Sequence, residues 1–111
     1  MHQHDDLAQR IQALEDERGC VRAIYGFAHG LDNKERDVFL NVWADEAVFE
    51  VRDRDDAITA RTEGRVAFEK MIDGVPGPPK KFVKRLPTAP IVNVTGDDAH
   101  AETYFTRFDE L

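Results

Sequence analysis

Residues 82–108 read FVKRLPTAPIVNVTGDDAHAETYFTRF, and this stretch decides the fold class. Two extended segments, 82–94 and 99–108, flank a polar turn at residues 95–98 that contains one glycine and two aspartates. The second segment alternates between two unlike faces, as a β-strand does. Two prolines in the first segment lack a backbone N–H, so that strand must be bulged or lie at a sheet edge there. The stretch therefore predicts a hairpin of two long antiparallel strands.

The chain before residue 32 has the pattern of a helix. Its apolar residues recur at steps of three and four, with Arg18 as the one polar interruption, and so share one helical face: Leu7, Ile11, Leu14, Val21, Tyr25, Ala28 and Leu31. Gly19 weakens this segment by about 1 kcal/mol relative to alanine. The pattern thus leaves open one long helix or two in tandem, from about Asp5 to Leu31. A short helix follows and ends at residues 44–46, with an apolar face made of Val38, Phe39, Val42 and Trp43.

The middle of the chain supplies one more strand and one more helix. Residues 47–52 favour a strand, and the densely charged residues 52–56 favour an exposed loop. Gly64 introduces a third helix, and the glycines and prolines of residues 74–79 indicate a loop. The apolar residues of that helix are Val66, Phe68, Met71 and Ile72. The order of elements predicts a single α+β domain over residues 1–111, with helices packed on an antiparallel sheet.

Charge and composition narrow the classes of partner. The chain has 111 residues, of which 41% are hydrophobic, and a formal net charge of −7. A net negative domain repels phosphate backbones, so the composition argues against nucleic acid as a partner. The one basic cluster is predicted to be the solvated edge of a strand; its members are Lys80, Lys81, Lys84 and Arg85.

Membrane, export and cofactor signals are missing from the sequence. No apolar run approaches the ~20 residues of a membrane span, and the polar residues 1–6 do not resemble a secretory signal. Cys20 is the single cysteine, so the cytoplasm is the default compartment. There is no phosphate loop, nucleophile elbow or metal-spaced cluster, and His2 and His4 would at most bind metal adventitiously. We therefore predict no cofactor and no metal site.

Several stretches in this order resemble the SnoaL-like proteins of the nuclear-transport-factor-2-like superfamily, nearest to scytalone dehydratase and hexachlorocyclohexane dehydrochlorinase. They are Leu14–Arg18, Ile24–Ala28, Gly30–Lys34, Trp43–Glu50, Gly64, Ile91–Val94 and Gly96–Ala99. The resemblance runs from about Leu7 to Phe108. It implies a cone-shaped, cystatin-like roll, in which helices cover a strongly curved sheet and a pocket for a small apolar molecule opens between them.

The resemblance also implies more strands than this sequence provides. Similar proteins continue into one or two strands after the segment that matches residues 99–108, whereas this chain stops at Leu111. Either the short form is complete or the final strands are missing. An open last edge favours pairing with a second copy, so a homodimer is expected.

Asp32 is the strongest catalytic candidate. In the resembling dehydratase and dehydrochlorinase, an aspartate at this position pairs with a histidine and removes a proton from the substrate. An apolar cavity would make this carboxylate a stronger base. The alternative is that Asp32 caps the next helix, with Glu35 three residues on as in a capping box. His29 lies three residues earlier on the same helical side and is a second acid–base candidate.

The histidine of that pair has no counterpart here. Resembling proteins often read His-x-x-x-Asn before the segment that matches residues 90–94, and Arg85 stands at the histidine position. Arginine does not release its proton at working pH. Beside Asp32 it would keep the carboxylate ionised and make it a weaker base. Arg85 is therefore predicted either to bind an anionic group or an enolate, or to be an exposed edge charge.

Aromatic residues complete the predicted site. Tyr25 and Tyr104 could donate a hydrogen bond to a carbonyl or leaving group. Trp43, Phe49 and Phe68, with Tyr104, are predicted to contact the ligand, and plain core packing is the alternative for each. The resulting hypothesis is a cofactor-free lyase or isomerase that acts on a small, largely apolar carbonyl compound. The rival is a non-catalytic ligand-binding or dimerisation module on the same fold.

Overall fold

The computed structural model describes residues 3–78 and 82–109, which form three helices and four strands. Their order is α1 (Gln3–Asp32), α2 (Arg36–Asn41), β1 (Val48–Arg52), β2 (Ile58–Glu63), α3 (Arg65–Gly74), β3 (Val83–Thr95) and β4 (Asp98–Asp109). The predicted α+β class is confirmed. Predictions about His2, Lys80, Lys81 and Leu111 fall outside the described residues, as does the side chain of His4.

α1 is one continuous helix that runs through Gly19. Nothing lies within 4 Å of the position that a Cβ at Gly19 would occupy, so glycine is not needed there for close packing. Its flexibility costs helix stability, and α1 stays continuous because it packs along β3. α1 includes Asp32 as its last residue, and α2 begins only at Arg36, with Glu35 at the N-cap position and no side-chain cap. The alternative in which Asp32 caps the second helix is therefore wrong. No described helix is apolar enough over a sufficient length to cross a membrane.

The predicted C-terminal hairpin is present. β3 and β4 pair antiparallel from Val83 opposite Asp109 to Thr95 opposite Asp98. The register shifts between Thr88 and Ile91, as expected for a strand whose second proline cannot donate to the ladder. Pro90 lies in this bulge, next to Ala89 with a positive φ of 51°.

The strands do not form the single curved sheet that the resemblance implied. β1 pairs only with β2, and β3 only with β4, among the described residues, and there is no closed barrel. Each pair is a local hairpin, because a short turn suffices to join antiparallel neighbours. β2 was not predicted, since Ile58 is the one large apolar residue in its sequence, Ile58–Glu63. Within β1, the Arg52 guanidinium donates a hydrogen bond to the Glu50 carboxylate, which lowers the pKa of Glu50.

The hydrophobic core lies where α1, α2 and α3 meet. Its buried members are Leu31, Phe39, Leu40, Phe68 and Ile72. Gly30 makes this junction possible, because a Cβ at residue 30 would lie 2.8 Å from the backbone nitrogen of Phe39. The two helices can approach this closely only with glycine at that position.

Gly30→Ala is expected to lower the free energy of unfolding by about 1–3 kcal/mol, because the added methyl group forces α1 and α2 apart. Urea denaturation measures the change. Gly19→Ala is the matched control: nothing lies within 4 Å of its Cβ position, so it should raise stability by up to about 1 kcal/mol. Equal destabilisation by both substitutions would contradict the close packing at Gly30.

Candidate functional site

The C-terminal end of α1 carries a buried carboxylate that is bound to β3. The side chain of Asp32 is 4% exposed and that of Arg85 is 13% exposed. The backbone N–H of Arg85 donates to Oδ2 of Asp32 at 2.7 Å, and the Arg85 guanidinium donates to Oδ1. Both carboxylate oxygens therefore accept hydrogen bonds from one residue. A buried ion pair of this kind, at the edge of a cavity, is a candidate functional centre.

Neighbouring polar contacts hold the end of α1 against the start of β3. The Lys84 ammonium donates to Oδ1 of Asn33 at 3.2 Å, and the Asn33 amide donates to the carbonyl of His29 at 3.0 Å. Consecutive residues of the helix end, Asp32 and Asn33, thus meet consecutive residues of the strand, Arg85 and Lys84. This double connection fixes the Asp32 carboxylate relative to the hairpin.

A small cavity lies beside the ion pair. It has a volume of about 50 Å³ and is lined by Leu31, Asp32, Val75, Pro76, Gly77, Val83, Arg85 and Arg107. One water needs at least about 10–15 Å³ of such space, whereas drug-sized ligands occupy about 300–1,000 Å³. The cavity at Asp32 therefore has room only for a small group of atoms. It is not the ligand-sized apolar pocket that the sequence predicted.

A second arginine faces this cavity from the neighbouring strand. Arg107 lies directly opposite Arg85 in the β3–β4 register, so the two side chains share one face of the hairpin. Arg107 forms an ion pair with Asp109 at 2.8 Å, as Arg85 does with Asp32. Each guanidinium thus has a carboxylate partner, and the cavity wall combines both charge signs. Sequence analysis did not single out Arg107, because only the pairing register places it beside Arg85.

Tyr25, His29 and Tyr104 are not among the residues that line the cavity. The His29 side chain is exposed although it is only one helical turn from Asp32. Tyr25 is also exposed and precedes Asp32 by two helical turns, or about 10 Å of helix. Tyr104 is 78% exposed on β4. Catalytic or binding roles for these residues stay predictions, but the structure does not bring them to Asp32.

The three other predicted ligand residues lie together and do not line the cavity beside Asp32. Trp43, Phe49 and Phe68 form an aromatic cluster with Phe27 and Phe39. Trp43 stacks on Phe68 with ring centroids 4.3 Å apart and meets Phe49 edge-on at 5.6 Å. This arrangement corresponds to the core-packing alternative.

One polar atom of the aromatic cluster, in the indole ring of Trp43, lacks a hydrogen-bond partner among the described residues. Nε1 of Trp43 is buried and has no hydrogen-bond partner among the described residues. A buried N–H without a partner costs about 1–3 kcal/mol. Such a donor is suited to an acceptor oxygen, which a ligand can supply.

A larger open space lies between the first half of α1 and the end of β3. This groove has a volume of about 780 Å³ and is lined by Gln9, Gln12, Ala13, Asp16, Glu17, Val92, Val94 and Gly96. It is large enough for a small ligand. Sequence reasoning missed it, since its helical wall is polar and its width depends on the separation of helix and hairpin. No group of His, Cys, Asp and Glu within residues 3–78 and 82–109 has the arrangement of a metal site.

Comparison with known proteins agrees with the resemblance. A family model described as the SnoaL-like domain matches residues 12–109, a range that contains Asp32, Arg85 and all four strands. The curated proteins contain no match to the chain. The resemblance predicted from the sequence motifs is confirmed for the family. The nearer similarity to scytalone dehydratase and the dehydrochlorinase stays a prediction.

Proposed function

The chain belongs to the SnoaL-like domain family, and on this basis we propose that it is a small cofactor-free lyase or isomerase. The fold of this family is of the type found in isomerases and cyclases that act on small molecules, or in proteins that bind them. The observation that carries the proposal is the buried Asp32 carboxylate, which borders a cavity and is held by Arg85. Such a pair combines a proton acceptor with a fixed positive charge.

The proposed reaction begins with removal of a proton from a carbon next to a carbonyl group. The proton goes to an oxygen of Asp32, and the electron pair of the C–H bond moves to the carbonyl oxygen and forms an enolate. A carboxylate has about four acceptor positions, and the hydrogen bonds from Arg85 use two of them. Arg85 stabilises the negative charge of the enolate oxygen. For a dehydration, the enolate electrons then form the carbon–carbon double bond, the bond to the β-hydroxyl group breaks, and this group takes the proton from Asp32 and leaves as water. For an isomerisation, Asp32 returns the proton to another carbon.

The size of the cavity limits which part of a substrate reaches Asp32. About 50 Å³ accommodates only the reacting end of a molecule. Val75, Pro76 and Val83 also line the cavity, so they would contact the apolar part of the substrate next to the reacting carbon. These contacts support a small, largely apolar carbonyl compound as the substrate class.

The test uses two probes, cyclohex-3-enone for isomerisation and 4-hydroxybutan-2-one for dehydration. With wild-type protein in D₂O, proton NMR should show product and exchange of the α-hydrogens. Asp32→Asn should lower the rate by about 10²–10⁴-fold, because the amide cannot accept the proton. Asp45→Asn, an exposed aspartate in the loop before β1, is the control and should keep full activity. A thermal melt of each variant ensures that the comparison is made on folded protein.

A non-catalytic ligand-binding module is the second candidate function. It is favoured because both oxygens of Asp32 are bound to an arginine, which cannot relay a proton. If wild-type protein exchanges no α-hydrogen of either probe, the lyase proposal fails. Binding of the same probes, detected through the single indole N–H signal of Trp43, would then support the ligand-binding alternative.

The class of ligand, the lack of a cofactor, the cellular location and the oligomeric state are also proposals. The net charge of −7 supports a small-molecule ligand rather than nucleic acid. The absence of a cofactor, the cytoplasmic location and the homodimer stay predictions.

A further inference from the structure

The cavity beside Asp32 has more positive than negative side chains in its wall. Its charged lining residues are two arginines and one carboxylate: Arg85, Arg107 and Asp32. Arg85 and Arg107 are direct partners across β3 and β4, and like charges directly opposite each other destabilise a sheet. In a chain with a formal net charge of −7, two arginines at one cavity are suited to an anionic group of a ligand.

Most hydrogen-bond donors of the two guanidinium groups have no protein partner. A guanidinium group carries five N–H donors. Among the described residues, the Arg85 guanidinium donates to Asp32 through Nη1, and the Arg107 guanidinium donates to Asp109 through Nε. Within the same part of the chain, Nε1 of Trp43 is the buried side-chain donor that lacks a partner. The spare donors of both arginines are therefore accessible to water or to a ligand.

The charged side chains of the cavity lie at graded depths. Their exposed fractions are 44% for Arg107, 13% for Arg85 and 4% for Asp32. Arg107 thus lies at the solvent side of the cavity, with Arg85 and then Asp32 further inside. The ion pair of Arg107 with Asp109 is also exposed, and such surface pairs contribute little to stability. Arg107 can therefore exchange Asp109 for a ligand at small cost.

We propose that Arg107 binds a carboxylate group of the substrate, so that the site takes small 2-oxo acids in preference to neutral ketones. This inference rests on the proposed function, because it names the substrate class of the same site. In a 2-oxo acid the carboxylate, the carbonyl group and the carbon that loses its proton follow one another along the molecule. That order corresponds to the order of Arg107, Arg85 and Asp32 from solvent to interior.

Charge and size favour a carboxylate over a phosphate group. A carboxylate carries one negative charge, which matches the surplus of one arginine in the cavity wall. A phosphate monoester carries about −1.5 to −2 and has three acceptor oxygens. The cavity of about 50 Å³ holds only about three to five groups of the size of water. The side chains of Val75, Pro76 and Val83 in its wall offer no donors to further oxygens.

The test compares 2-oxobutanoate with butan-2-one, in which a methyl group replaces the carboxylate. In calorimetric titrations, wild-type protein should bind the acid at least about 10-fold more tightly, as expected for a charge-assisted hydrogen bond. Arg107→Met should remove this preference. Arg107→Lys should retain part of it, because lysine keeps the charge without the planar donor fork. Inorganic phosphate should bind more weakly than the acid.

Arg61→Met is the matched control for the loss of an exposed arginine. Arg61 lies on a hairpin strand, is 48% exposed and pairs with Glu63 two residues further on, as Arg107 pairs with Asp109. It does not line the cavity. The substitution should leave the preference for the acid unchanged. A thermal melt of each variant ensures that only folded proteins are compared.

The comparison of the acid with the ketone on wild-type protein does not depend on a folded variant. Equal affinity for the two compounds would overturn the proposal. So would no binding of the acid at about 10 mM, above the millimolar affinity of a weak ligand. Phosphate binding as tight as that of the acid, or equal losses in Arg107→Met and Arg61→Met, would also overturn it.

Hydrogen exchange in D₂O distinguishes failure of this inference from failure of the proposed function. Selective binding of the acid through Arg107 without exchange of its α-hydrogens would support the carboxylate site and contradict the lyase or isomerase. Turnover of the neutral probes with no preference for the acid would support the enzyme and contradict the carboxylate site.

Discussion

Asp32→Ala is expected to lower the free energy of unfolding by about 3–5 kcal/mol, the typical cost of removing one partner of a buried ion pair. The substitution leaves the Arg85 guanidinium, which is 13% exposed, without its carboxylate. It also leaves the backbone N–H of Arg85 without its acceptor. Urea denaturation at pH 7 measures the loss. Such a change is a large part of the 5–15 kcal/mol that stabilises a typical domain.

A double substitution that removes both charges separates the cost of an unpaired arginine from other effects of losing Asp32. Asp32→Leu with Arg85→Met should recover much of the stability, since apolar residues of similar volume avoid the cost of desolvating two charges. Asp73→Ala is the control for a surface ion pair. Asp73 and Arg36 are 3.0 Å apart but about half exposed, so its loss should cost less than about 1 kcal/mol. If Asp32→Ala costs no more than this control, the carboxylate is not a buried partner of Arg85.

Phe68→Ala is expected to cost about 3–5 kcal/mol, because it leaves a cavity at a fully buried core position. Its ring stacks on Trp43 at 4.3 Å and lies 6.3 Å from Phe39. Trp43 is the only tryptophan in the chain, so its fluorescence should also change in the folded variant. Val66→Ala, on the exposed side of the same helix, should change stability by less than about 0.5 kcal/mol.

The same variant separates the two interpretations of the aromatic cluster. If Phe68 is a core residue, as its packing indicates, Phe68→Ala lowers stability and affects ligand binding only through folding. If the cluster binds a ligand, the folded variant should bind the probes differently from wild type under conditions where both are fully folded. A small stability change together with a large change in affinity would contradict the core assignment.

Much of the local structure could be predicted from the sequence. The alternation in residues 99–108 and the turn before them predicted β4 and its pairing with β3, because side-chain period and turn chemistry are properties of adjacent residues. The prolines predicted the bulge for the same reason. β2 was missed, since Ile58 is the one large apolar residue in Ile58–Glu63 and the alternating pattern is therefore weak. Whether residues 5–31 form one helix or two depended on packing along β3, which overrides the local cost of Gly19.

At the candidate site, the sequence identified the residues but the tertiary structure decided their roles. The sequence by itself identified Asp32 and Arg85 as the two positions of interest and left each with several roles. The choice between a helix cap and a buried partner required a contact across 53 residues of sequence. Such a contact follows from how α1 packs on the hairpin, and no local pattern encodes that distance. Only the tertiary structure placed Arg107 opposite Arg85, because this pairing depends on the register of β3 and β4.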